Sequence, residues 1–182
     1  GEGATVMVLE REDSARARGA TIIAEIVSWS STNDAFHIAA PREDGVGIDR
    51  MFPPVLRRCD LSPSEVGYIN PHGTGTQAND RLETATIRNI FGAHADSLAV
   101  SSTKSMTGHQ MGAAGAFETA VTALALHHRI VPPTINLEDQ DPECDLDCTA
   151  NTPVRREVHA VLSNSSGFGG HNASIALRRL IG

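Results

Sequence analysis

The chain has 182 residues, 40% of them hydrophobic and 20% charged, which is enough to bury one sizeable core in a single domain or at most two small ones. A formal net charge of −7 argues against nucleic acid as a partner, because phosphate binding needs Lys and Arg gathered on one face. No apolar run approaches the roughly 20 residues of a membrane span, the start shows no signal-peptide pattern, and the three cysteines make no even-numbered disulfide framework, so the expected setting is the reducing cytoplasm.

In chain order, the alternation in ATVMVLE predicts a strand opening almost at residue 1, followed by a charged helical patch, REDSARARG, closed by Gly19. TIIAEIVSWSS predicts a second strand. A loop with Pro41, Gly45 and Gly47 leads into RMFPPVLRRCDL, a helix whose regular part is expected after Pro53 and Pro54. The strand VGYIN comes next, then the loop HGTGT and a helix from about Asp80 to Phe91, with Asp80 as its N-cap and Glu83 three residues on.

SLAVSST predicts another strand, and GHQMGAAGAFETAVTALALHHR a long apolar helix that stops before Pro132 and Pro133. The acidic stretch from Glu138 to Asp147 predicts a solvated surface loop. Cys144 and Cys148 lie within it, without the second Cys pair or the His at finger spacing that zinc requires, so no metal is expected. HAVLSNSSGF and ASIALRRL predict a closing strand pair around the turn GFGGHN. Strands alternating with helices and ending in a strand pair indicate an α/β layered fold with a mixed sheet.

Three loops stand at strand ends or helix starts, where side chains and backbone N–H groups point into clefts. In PHGTGT, His72 either caps a turn made by Gly73 and Gly75 or stands as an imidazole on a rigid strand end, with Thr74 and Thr76 offering hydroxyls to a polar ligand. In STKSMTGHQMGAAGA, His109 is placed at the first turn of the long helix, whose positive end disfavours imidazolium. A neutral imidazole there suits an oxygen that gains negative charge during a reaction. Glu118, fourteen residues after Lys104, is either an exposed carboxylate or the partner of that lysine. In SNSSGFGGHNAS, the glycines either make a plain hairpin or let Phe168 present its backbone N–H from a strained turn. GTGT and GFGG lack both the GKS or GKT ending of a phosphate loop and the spacing of a dinucleotide fingerprint, so nucleotide binding is not expected.

These motifs, in this order, resemble the C-terminal half of the elongating β-ketoacyl-acyl carrier protein synthases of the thiolase superfamily. The resemblance runs over essentially the whole chain, through GEGATVMVLE, SSTNDAFHIAAP, INPHGTGT, DRLET, VSSTKSMTGHQMGAAGAFE, VPPTINLE and NSSGFGGHNAS. STKSMTGH together with HGTGT is its most specific part. Ala39 stands where the family often has a hydroxyl residue that contacts the pantetheine arm, and Pro53 and Pro54 fall where the family usually has regular helix.

The resemblance implies a thiolase-like layered fold with a mixed five-stranded sheet and a long buried helix. Residues 1–31 would be the last strands of the N-terminal half, and residues 32–182 the C-terminal half. It implies decarboxylative Claisen condensation of malonyl carrier protein with an acyl thioester, in fatty acid or polyketide synthesis. His72 and His109 would hold the malonyl thioester carbonyl, and Lys104 and Glu118 would form a supporting ion pair with Asp80 and Glu83 nearby. Phe168 would gate the malonyl side and complete the oxyanion hole, and Thr76 with Thr74 would line the phosphopantetheine channel. No cofactor of the chain's own is implied, since the substrate rides on the phosphopantetheine of acyl carrier protein. The implied partners are acyl carrier protein, an N-terminal half bearing the nucleophilic cysteine, and a second copy in a homodimer of the complete synthase. None of Cys59, Cys144 and Cys148 has the nucleophile's setting, so the chain alone is expected to be inactive. The alternative is a non-catalytic, synthase-like partner or carrier-protein-binding module.

Overall fold

In the computed structural model, which describes residues 1–180, the chain begins not with a strand but with an extended arm. Thr5 and Met7 are half-buried while Val6 and Val8 are 91% and 88% exposed, so the alternation read from ATVMVLE survives as sidedness. A strand also needs a hydrogen-bonded neighbour, and none runs beside this arm among the described residues. Helix α1 (Glu12–Ala17) follows, capped by Arg18, and Gly19 turns the chain away at φ +69°.

Strand β1 (Glu25–Asn33) starts four residues later than the sequence suggests, and the division expected at residue 31 falls inside it. Two short helices come next, α2 (Val46–Asp49) and α3 (Phe52–Arg58). Pro53 and Pro54 lie inside α3 rather than before it, because they occupy its first turn, where backbone N–H groups have no intrahelical acceptor to lose. β2 (Val66–Asn70) leads to α4 (Gln77–Phe91), and β3 (Ala99–Val100) to the short α5 (Lys104–Thr107). α6 (Ala114–His128) is followed by β4 (Ile130–Val131), β5 (Val154–Arg155), β6 (Ala160–Gly167) and β7 (His171–Arg178).

The main sheet has the order β1-β7-β6-β2-β3, while β4 and β5 form a separate antiparallel pair. β7 runs antiparallel to both neighbours, and β6, β2 and β3 run parallel. Successive side chains of a strand face opposite ways, and both faces here are covered. Ile69, Val100, Leu162 and Ala176 join Phe52, Val55, Ile87 and Phe91 of α3 and α4 on one side. Tyr68, Ala99, Val161 and Leu177 join Ala125 and Leu126 of α6 on the other. The result is a helix–sheet–helix sandwich. Phe52 and Phe91 meet edge to face at 5.6 Å, an arrangement aromatic quadrupoles favour.

This topology places the site. β2, β3 and β6 are parallel, so the loops that leave their C-terminal ends emerge at the same edge of the sheet, where α/β sheets open a crevice. Those loops are HGTGT, STKSMTGH and GFGG.

Candidate active site

His72 sits two residues past the end of β2 and is 8% exposed. Its turn is fixed from below by a buried carboxylate. Glu83, on α4 and 5% exposed, accepts the backbone N–H groups of His72 and Gly73 at 2.8 and 2.7 Å and the Asn79 amide at 2.8 Å. Burial pushes the Glu83 carboxyl above the ordinary range, and those hydrogen bonds pull against it.

Lys104 reaches the same turn from α5. Its ammonium donates to the His72 carbonyl and forms an ion pair with Glu118, so that of the two arrangements open for Glu118 the buried pair is present. Both side chains are nearly inaccessible, and removing either would leave an unpaired buried charge. Burial raises the Glu118 carboxyl while Lys104 opposes the shift.

The two imidazoles meet edge to face with ring centroids 5.2 Å apart. Burial is the largest influence on His72 and the charge of Lys104 the next, and together with His109 they lower its pKa to about 3. His109 is lowered for the same leading reasons, burial and then Lys104. It is not at the first turn of the long helix. A break at Gly108, with φ +70°, separates α5 from a single 3-10 turn and then α6, and His109 lies five residues before α6 begins. Its neutrality therefore comes from burial and a nearby cation rather than from a helix end.

Tautomers follow from the hydrogen bonds. His109 Nδ1 accepts the Met111 N–H at 3.1 Å, so the proton of the neutral ring is on Nε2. His72 Nδ1 is buried without a partner among the described residues. A bare lone pair costs less there than an unpaired N–H, which places its proton on Nε2 as well.

Both rings line a cavity of ≈ 640 Å³ together with Thr74, Thr76, Ala39 and Phe168. Thr74 and Thr76 share a hydrogen bond between their hydroxyls at 2.9 Å. Asp80 is in the first turn of α4 rather than at its N-cap, which is Thr76. Its carboxylate accepts the Gly75 N–H at 3.3 Å and the Asn79 amide at 3.0 Å, steadying the turn from one position inside the helix. Phe168 is 67% exposed at the cavity mouth. The left-handed backbone of its turn falls on Gly169 and Gly170, at φ +76° and +72°, so Phe168 itself carries no such strain.

The residues that hold this turn escaped sequence reasoning. Asp34, just past β1 and 7% exposed, donates its N–H to the Gly170 carbonyl at 2.8 Å and accepts the Asn172 amide at 2.7 Å. Asn33 donates to the Gly169 carbonyl at 2.9 Å, and the Gly169 N–H donates to Ile38 at 2.8 Å. The available signal was polar residues flanking two motifs, Asn33-Asp34 before AFHIAAP and Asn172 after GFGGH.

None of the cysteines lines the cavity of the histidines. Cys144 and Cys148 line a second cavity of ≈ 530 Å³, which His109, Thr74 and Thr76 also border, and Cys59 caps α3. Burial raises all three thiols, Cys148 to about 11. Among the described residues no group of three or more His, Cys, Asp and Glu side chains could hold a metal ion, and no helix is long and apolar enough to cross a membrane.

Residues 23–138 match the family model of the β-ketoacyl synthase C-terminal domain. The 3-oxoacyl-[acyl-carrier-protein] synthase 2 of Synechocystis sp. is 49% identical over 179 residues, which is 98% of this chain and 43% of that protein. The solved structure of a type II polyketide synthase ketosynthase with its acyl-carrier protein superposes with a TM-score of 0.91 at 37% identity, covering 94% of this chain and 42% of that one. A ketosynthase in complex with its chain length factor from Xenorhabdus doucetiae superposes at 0.77 with 36% identity, covering 88% and 40%. The chain thus spans less than half the length of the relatives it matches. Its sheet order, the gathering of three loops at one edge and these matches agree: the chain belongs to the β-ketoacyl synthase family and carries its C-terminal domain, with the thiolase-like ketosynthase fold.

Proposed function

We propose that this chain is the C-terminal portion of a 3-oxoacyl-acyl carrier protein synthase and supplies the site at which a malonyl thioester loses carbon dioxide. The observation that carries the proposal is the pair of neutral imidazoles, 5.2 Å apart, on one cavity beside Phe168. The malonyl thioester carbonyl takes hydrogen bonds from His72 Nε2 and His109 Nε2. As the bond to the carboxylate breaks, its electron pair moves onto the thioester carbon skeleton and charge builds on that oxygen. Neutral donors already in place stabilise it without reorganisation, and each is worth roughly 10²–10³ in rate by analogy with oxyanion holes. The resulting enolate attacks an acyl thioester, forming the new carbon–carbon bond and releasing the thiolate of a cysteine.

That cysteine is assigned to the N-terminal portion of the synthase, since none of the three here borders the cavity. Lys104, Glu118, Glu83 and Asp80 hold the turn that bears His72. Phe168 gates the malonyl side, with its backbone N–H completing the oxyanion hole for the condensation step. Thr74 and Thr76 line the path of the phosphopantetheine arm, and Ala39 adds no hydroxyl to it. The partners are acyl carrier protein, as in the structure of the type II ketosynthase with its carrier protein, and a second synthase chain. The setting is the cytoplasm. A chain-length-factor-like partner without catalysis is disfavoured because both histidines are present and both are held neutral.

The test joins this chain to the N-terminal portion of a relative such as the Synechocystis synthase and follows acyl transfer to cysteine and malonyl decarboxylation separately. His72→Ala and His109→Ala are expected to lower decarboxylation about 10²- to 10³-fold while acyl transfer persists. Equal loss of both steps would remove the role assigned to the pair.

A further inference from the structure

The turn that bears His72 is gripped at every backbone polar group of the His72-Gly73 dipeptide. Glu83 takes both N–H groups and Lys104 Nζ donates to the His72 carbonyl. The remaining group, the Gly73 carbonyl, accepts the hydroxyl of Ser102 at 2.8 Å. The same hydroxyl accepts the Lys104 backbone N–H at 3.3 Å. One oxygen therefore joins the loop after β2, which bears His72, to the segment after β3, which bears Lys104 and His109. The two chains touch directly here: Gly73 has φ +45°, and a Cβ built on it would stand 2.6 Å from Ser102 Cβ.

Ser102 is itself held. It is 8% exposed, its N–H donates to Thr134 Oγ1 at 3.2 Å, and its carbonyl accepts the Ser105 hydroxyl at 3.1 Å. Among the anchors of the turn it is the neutral one. Glu83 and Lys104 are buried charges with further partners, so their loss disturbs more than the turn.

We infer that Ser102 is a positioning residue whose hydroxyl sets the separation and orientation of the His72 and His109 imidazoles. Two Nε2–H donors serve one oxygen only if both stay within about half an ångström of their working places, and Ser102 is the short link between their loops. Its catalytic meaning rests on the proposed decarboxylation site, whereas its effect on geometry does not. Ser102 does not line the cavity that holds both imidazoles and Phe168, and it borders the second cavity together with His109.

Ser102→Ala and Ser102→Thr are compared with the parent chain by NMR, reading the nuclear Overhauser contact between the rings of His72 and His109, and in the joined synthase described above, reading malonyl decarboxylation. Ala is expected to weaken the ring contact and lower kcat about 100-fold with KM unchanged. Thr, which keeps the hydroxyl, restores both. An unchanged ring contact in Ser102→Ala overturns the inference, as does a Thr variant that loses as much as Ala. If His72→Ala leaves decarboxylation intact while Ser102→Ala still separates the rings, the decarboxylation site falls and the positioning role stands.

Discussion

At the residue scale, His72 shows how burial converts an ordinary side chain into a fixed neutral donor. An unfolded chain protonates this ring near its ordinary value of 6.5, whereas the folded chain holds the proton off until about pH 3. The stability that His72 contributes is therefore complete above pH 6.5 and is lost as pH falls from there toward 3, at up to about 1.4 kcal/mol per pH unit. His109 is shifted in the same direction and adds to the slope. Urea unfolding at pH 7 and pH 5 is expected to show a drop in stability that shrinks by about 2 kcal/mol in His72→Gln. An equal drop in the parent and the variant would mean that the ring is solvated and charged like any surface histidine. The sequence alone named both histidines, Lys104 and Glu118, because short motifs mark them. It named a helix end as the cause for His109, whereas both rings are lowered first by burial that only the fold creates and next by the Lys104 ammonium, which reaches His72 from another loop.

At the element scale, the polar stitching of the GFGG turn to the Asn33–Ile38 segment decides where Phe168 stands. Gly170 has φ +72°, and a Cβ there would lie 2.8 Å from Asp34 Cβ and 3.1 Å from the Asp34 nitrogen. Gly75 has φ +75° with open space around it, so it isolates the backbone term. Gly75→Ala is expected to cost about 1–2 kcal/mol from the left-handed conformation alone, and Gly170→Ala that amount plus about 1–3 kcal/mol of steric conflict. Urea unfolding measures both, and hydrogen exchange at Ala35–Ile38 should quicken only in Gly170→Ala. Equal costs at the two sites would mean that the Asp34 contact gives way freely. Elements were legible where periodicity and punctuation agreed, as for β2, β6, β7 and the body of α6. They were misread at their starts: the long helix expected from Gly108 begins only at Ala114, α5 before it belonged to no expected element, and Thr76 opens α4 four residues before the expected Asp80. The ATVMVLE arm has strand periodicity but pairs with no strand among the described residues, and pairing is a property of two segments that one segment cannot display.

At the scale of the whole molecule, the parallel strands deliver three loops to one edge and thereby bring together the two imidazoles, the ion pair that holds the His72 turn and the Phe168 ring. No thiol lines the cavity that the two imidazoles share. Cys59 lies at the end of α3, and Cys144 and Cys148 lie in the acidic segment, which Arg81 and Arg88 tie to α4 through Asp141, Glu143 and Asp145. A thiol reacts as its thiolate, and burial disfavours that form at all three positions, most at Cys148, where the pKa reaches about 11. A nucleophile for acyl transfer needs the opposite environment, a helix N-terminus or a nearby cation that brings the pKa toward neutrality. Incubation of the chain with an acyl-acyl carrier protein at neutral pH, followed by intact-mass measurement, is therefore expected to give the unmodified mass. Addition of a thiol-reactive alkylating agent under the same conditions should label Cys148 more slowly than a free cysteine does, because only about one thiol in 10⁴ is ionised at pH 7 when the pKa is near 11. A stoichiometric acyl adduct on any of the three cysteines would overturn the division of labour proposed here, in which this chain stabilises the enolate and another segment carries the acyl group.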